Sequence, residues 1–194
     1  MGTYSMNRTI IVALGALSSL AAWPVGAQSQ FQTNGEQFVE AVRKDDGSKA
    51  IQLLRDHPTL VNSRDPKGDT ALLIAVRRGD REWTGFLLNS GADVDSVAKD
   101  GDTPLIAASR IGFEDAIGWL TKLGARIDAS NKLGETALII AVQARNARAV
   151  RALLEAGADP DKGDHAGYSA RDYAKRDTRT RQMSELIEAK KPKK

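Results

Sequence analysis

The chain has no cysteine among its 194 residues and only two histidines, His57 and His165. Without thiols it cannot build a disulfide, a thiolate nucleophile, a cysteine-ligated zinc site or a lipid-modified N-terminal cysteine. It also lacks a His-Glu-x-x-His pair and a Gly-x-x-x-x-Gly-Lys phosphate loop, so most nucleophilic and metal-assisted chemistry is missing its parts. His57, beside Pro58, reads as a loop residue at a helix end. The apolar run at residues 9–23 is 15 residues long, where about 20 are needed to span a bilayer, and Pro24 and Gly26 interrupt it. The chain therefore reads as neither an enzyme nor a metal carrier, with no cofactor and no integral membrane segment.

The same apolar run is placed like the core of an export signal. Arg8 and the amino terminus supply a short positive region, and Val25-Gly26-Ala27 puts small side chains where a signal peptidase reads. Residues 1–27 are thus expected to be removed after Ala27, with Met6 an alternative start to Met1 and residues 28–34 a short linker. The expected compartment is a bacterial periplasm, with secretion beyond the cell as the alternative. An exported chain without cysteine must draw its stability from its core.

The formal charge of +3 is unevenly spread: residues 28–170 carry a net −3 and residues 171–194 a net +5. The basic character belongs to a tail, ending in Lys190, Lys191, Lys193 and Lys194 around Pro192. No aromatic residue is interleaved with these lysines, so nucleic acid is not the expected partner.

What the chain does have is a period. Gly68, Gly101, Gly134 and Gly167 are 33 residues apart, and each opens nearly the same phrase: Gly-Asp-Thr-Ala-Leu, Gly-Asp-Thr-Pro-Leu, Gly-Glu-Thr-Ala-Leu, and a weaker Gly-Tyr-Ser-Ala. Thr70, Thr103 and Thr136 stand where a hydroxyl can cap a helix, and Pro104 fits a first helical position. Short Ala-rich runs follow at residues 71–76, 105–109 and 137–142. Gly79 and Gly112 break these first helices. Second helices follow, with Ile117, Leu120 and Leu123 in one repeat and Val150, Leu153 and Leu154 in the next at helical spacing. Gly91, Gly124 and Gly157 end them in the left-handed conformation. Helices this short are marginal alone, so stacking must bury their apolar faces.

A 33-residue period with this opening, and Gly-Ala-Asp near its position 24, resembles the ankyrin repeat. The resemblance covers residues 35–190: a degenerate N-terminal cap at 35–67, full repeats at 68–100, 101–133 and 134–166, and a C-terminal cap at 167–190, followed by the basic tail at 191–194. It implies an all-α solenoid of stacked helix-turn-helix units with finger loops between them. Two departures stand out. Ile74, Ile106 and Ile139 occupy the place of the family's usual histidine, which predicts an apolar seam, and Arg145 replaces a mid-repeat glycine. The pairs Asp93/Asp95 and Asp159/Asp161 match the family's turn and lack the distal Glu of a calcium loop.

The resemblance further implies binding of another protein through a concave face made by the fingers and the exposed side of the first helices, by a chain expected to be a monomer. Carried over residue by residue, the finger contacts are Pro66, Lys67 and Asp69; Lys99, Asp100 and Asp102; Lys132, Leu133 and Glu135; His165 and Tyr168. The helix ends add Arg77, Arg78, Arg110, Ile111 and Gln143. Lys67, Lys99 and Lys132 form one expected basic row and Arg77, Arg78 and Arg110 another, with Asp69, Asp102 and Glu135 between them, a pattern suited to a partner of complementary charge. Trp83, Phe86, Phe113 and Trp119 fall on or beside second helices and read as packing residues. Similarity to exported bacterial members implies support of a periplasmic enzyme such as a catalase in peroxide protection. The alternative is an inhibitor or immunity protein for a periplasmic toxin or enzyme.

Overall fold

Threonine hydroxyls start the first helix of three successive repeats. Oγ1 of Thr70, Thr103 and Thr136 accepts from the backbone N–H of Leu73, Ile106 and Ile139 at 3.2, 3.3 and 3.3 Å, satisfying amides that have no partner within the helix. From these caps run α3 (Ala71–Arg78), α5 (Pro104–Ile111) and α7 (Ala137–Gln143). The computed structural model describes residues 33–176 and 181–189. The expected export signal and the basic tail lie outside the described residues.

Ahead of Gly68, α1 (Asn34–Arg43) opens on a capping box made by Thr33 and Glu36. Its partner is α2 (Gly47–Asp56), followed by a short 3-10 turn at Pro58–Asn62. The second helices of the full repeats are α4 (Arg81–Asn89), α6 (Glu114–Lys122) and α8 (Ala147–Glu155), and α9 (Ala170–Arg176) with α10 (Arg181–Glu188) closes the series. Asp46, Asp80 and Asn146 cap α2, α4 and α8 through their side chains, while Phe113 stands at that place before α6 and makes no such bond. Among the described residues there is no strand or sheet, only isolated bridges such as Arg64 with Thr70 and Ser130 with Thr136. The fold is the all-α repeat solenoid that the period predicts.

Gly79 and Gly112 end α3 and α5 with φ of 70° and 73°. Arg145 takes the same left-handed turn with φ of 55°, and Asp45 does so between α1 and α2 with φ of 60°. The turn thus survives the loss of its glycine, at a local cost of roughly 1–2 kcal/mol.

First helices pack side by side in the order α1, α3, α5, α7, α9, and the second helices of the full repeats pack behind them, α4 on α6 and α6 on α8. Ile106 and Ile139 are fully buried in this seam. Ile74 is not their equivalent. The period sets Leu73 level with Ile106 and Ile139, and Leu73 is fully buried while Ile74 is only half-buried. One residue turns a helical side chain by about 100°, enough to move it off the seam. Each fully buried aliphatic side chain contributes about 1.5–3 kcal/mol. On the second helices Trp83 meets Phe86 edge to face at 5.5 Å, Phe113 meets Trp119 at 6.4 Å, and Trp83 Nε1 donates to Asp45 at 2.8 Å. These aromatics are packing residues.

Candidate functional site

Four fingers share one backbone turn. Asp65, Ala98, Asn131 and Asp164 donate their N–H to the carbonyls of Asp69, Asp102, Glu135 and Tyr168 at 2.9–3.0 Å, and the glycine before each acceptor donates back across the turn. Neighbouring fingers are then joined: Lys132 N–H donates to Asp100 at 3.3 Å and His165 N–H to Leu133 at 3.0 Å. Gly101 and Gly134 permit that approach. A Cβ on Gly101 would lie 2.6 Å from the Lys132 nitrogen, and one on Gly134 would lie 2.5 Å from that of His165. The last three fingers therefore form a continuous edge of bonded backbone, and Arg77 ties the first finger to it through Asp69 and Asp100.

A second regularity ties each finger to the helix that follows it. Asp69 meets Arg77 at 2.9 Å, Asp102 meets Arg110 at 3.0 Å, and Gln143 donates to Glu135 at 3.3 Å. In the last repeat the guanidinium of Arg176 lies 4.4 Å from the centre of the Tyr168 ring. The same two places, eight residues apart, hold a pair in every case. Arg77 also reaches Asp100 at 2.8 Å, and Asn131 bridges Asp102 and Glu135 at 3.2 and 3.0 Å.

This geometry corrects several expected contacts. Asp102 is buried beneath Arg110 and Asn131 and presents no face to a partner. Asp69 and Glu135 are half-buried and held by their own repeats. Arg78 does not share a row with Arg77 and Arg110: it donates to the Val42 carbonyl at 3.1 Å and to Asp80 at 2.7 Å, joining α3 to α1 and to its own turn. The row at that level is Arg77, Arg110, Gln143 and Arg176. Lys67 is likewise one residue out of step with Lys99 and Lys132, whose row continues into His165. Lys67 stands level with Asp100 and Leu133 instead.

The remaining expected contacts face water. Lys67, Lys99, Asp100, Lys132, His165 and Tyr168 are exposed on the fingers, Gln143 is exposed on α7, and Leu133 shows 65 % of its surface. Ile111 is exposed at the far end of α5, beside Gly79. Tyr173 and Asp164 were not legible as site residues. The Tyr173 hydroxyl donates to Asp164 at 2.7 Å, which pushes the Tyr173 pKa up. Partial burial pushes Asp164 up, but the donors Tyr173, Tyr168, Ala166 and Gly167 outweigh it and hold its carboxyl below the ordinary value. The eight-residue spacing from Asp102 to Arg110 and from Tyr168 to Arg176 was the signal that could have found Arg176.

The aspartate pairs belong to the turns between repeats. Asp93 and Asp95 bond Asn62 and Arg126 of adjoining repeats, and Asp159 takes its N–H bond to Asp128 at 2.9 Å. His57 sits exposed at the end of α2. No helix among the described residues is long and apolar enough to cross a membrane.

The family model for ankyrin repeats matches in three overlapping copies, at residues 38–131, 85–164 and 106–181. No curated protein matches the chain. With most of the chain matched and with fingers, helix pairs and glycine turns recurring at the same period, the chain belongs to the ankyrin-repeat family.

Proposed function

We propose that this protein is a non-enzymatic binding module that works in the bacterial periplasm after losing residues 1–27, and that it holds a partner protein along its fingers. Ankyrin repeats are protein-interaction modules, and the fold hosts many functions whose specificity lies in surface side chains. The observation that carries the reading is the continuous finger edge, where bonded turns present Lys99, Lys132, Leu133 and His165 side by side. Turns whose backbones are already bonded in this way lose little backbone freedom on binding, which favours affinity. The partner we propose is a periplasmic enzyme supported by the complex, such as a catalase acting in peroxide protection.

A photo-reactive residue placed at Lys132, and separately at Arg151 on α8, tests this in periplasmic extracts. The reading expects a discrete adduct, identified by mass spectrometry, from the Lys132 position only. Adducts from Arg151 alone would place the partner on the second helices and overturn the finger model. A toxin or other effector in the adduct would replace the enzyme-support role with inhibition.

A further inference from the structure

The charged finger side chains left without a partner have one sign. Every finger carboxylate already has a partner in the fold: arginines pair Asp65 (Arg43), Asp69 and the exposed Asp100 (Arg77) and Asp102 (Arg110, with Asn131), while neutral donors bond Glu135 (Asn131, Gln143) and Asp164 (Tyr173). Lys67, Lys99 and Lys132 are exposed and, among the described residues, meet no carboxylate and no other side-chain acceptor. Arg64, on the same turns, donates to the carbonyls of Gly68 and Val97 at 2.7 and 2.6 Å and also meets no acid. A sequence that alternates in sign thus folds into an edge whose exposed, partner-free charged side chains are cationic, while Glu135 and Asp164 are half-buried and hydrogen-bonded.

We propose that this edge is specified for an acidic protein segment bound in extended form along the fingers. The proposal rests on the finger-binding reading above and names the partner's chemistry. Lys99 and Lys132 are one repeat apart, and stacked helices sit about 8–10 Å from their neighbours. An extended polyproline-II chain has three residues per turn and rises about 3.1 Å per residue, so carboxylates at every third position fall on one face and match the lysines in turn. Leu133, the most exposed large apolar side chain of the edge at 65 %, lies next to Lys132 and offers an apolar contact within the charged row. Phosphate polymers fit less well. The arginines that would grip phosphate in a bidentate manner, Arg77 and Arg110, are held by aspartates, and the one exposed finger aromatic, Tyr168, is covered by Arg176.

The test uses the full chain and three fluorescent probes: an extended peptide with Glu at every third position and Leu between, its Lys-for-Glu counterpart, and a single-stranded oligonucleotide. Vesicles rich in phosphatidylglycerol serve as a fourth. Anisotropy is read at low salt and at about 0.15 M, where surface attraction is partly screened. The acidic peptide should bind best, and Lys99→Ala with Lys132→Ala should weaken it by about tenfold at low salt with an unchanged thermal melt. Lys122→Ala with Arg151→Ala, on the second helices, should leave it unchanged. Equal loss in both double variants would mean unspecific charge attraction and would overturn the proposal. Tighter binding of the oligonucleotide or the vesicles through the same lysines would assign the edge to phosphate ligands and overturn it too. If the Lys132 photo-adduct forms while the acidic peptide fails to bind, the partner-chemistry proposal falls and the finger model stands. Without that adduct, the finger model itself falls.

Discussion

The carboxylate of Asp102 is 6 % exposed and sits 3.0 Å from the guanidinium of Arg110, which is 49 % exposed. One partner is inside the repeat and the other at its surface. Arg110 is therefore first a cover for a buried charge, and only then a group that a partner could touch.

Reversing Arg110 should destabilise the fold. Arg110→Glu places two carboxylates together with Asp102 unable to reach water, and a buried polar group left without its partner costs about 1–3 kcal/mol. Arg77→Glu should cost less, because its partners Asp69 and Asp100 are 15 % and 59 % exposed, against 6 % for Asp102. Urea unfolding checks the order. Equal midpoints for the two variants would mean that Asp102 is not buried as described.

Substitutions along the seam should follow the register of Leu73, Ile106 and Ile139. Leu73→Asp and Ile106→Asp each bury an unpaired charge, a penalty of several kcal/mol that is comparable with the stability of a small domain. Circular dichroism should show loss of the cooperative melt in both. Ile74→Asp, on a half-buried side chain, should retain a melt at reduced temperature.

Finger glycines should differ by what lies next to them. Gly134 and Gly167 share a φ of 82°, so an alanine at either meets the same backbone strain, about 1–2 kcal/mol. Only Gly134 also faces the next finger, with the His165 nitrogen 2.5 Å from the added Cβ, while nothing lies within 4 Å at Gly167. Gly134→Ala should therefore lower the melting temperature well beyond Gly167→Ala.

The C-terminal repeat should lose stability at both ends of the pH scale. Hydrogen bonding from Arg171 holds Asp161 below its ordinary 3.8, and bonds from Ser169 do the same for Asp172. A carboxyl depressed in the folded state stabilises above its unfolded pKa, and that contribution is lost as pH falls through the lowered value. Tyr173 has the opposite sense. Its bond to Asp164 raises its pKa above 10.0, so its contribution is present below 10 and lost as pH rises through the raised value. Protection factors for hydrogen exchange in α9, taken relative to the intrinsic amide rate at each pH, should be highest near neutral pH, and Tyr173→Phe should remove the alkaline dependence while leaving the acid contributions of Asp161 and Asp172.

Much of the fold was legible because the period repeats local chemistry. Thr103 and Pro104 announce a helix start, and Gly112 its end, by properties that hold wherever the residues occur. The fingers were legible in position and misread in contact. Asp102 and Arg110 lie on a turn and a helix, and neither the two-residue period of a strand nor the 3.6-residue period of a helix connects them. Charges that alternate along a row look outward-facing until their pairing is known. Ile74 and Lys67 show a smaller failure: matching residues by type across repeats shifted each by one position, and one position on a helix is another face.

The most direct test of the account is hydrogen exchange on the protein bound to its captured partner. Binding along the fingers predicts added protection at residues 98–103, 131–136 and 164–169, with the second helices α4, α6 and α8 unchanged. Protection confined to α4, α6 and α8, with the fingers exchanging as in the free protein, would contradict it.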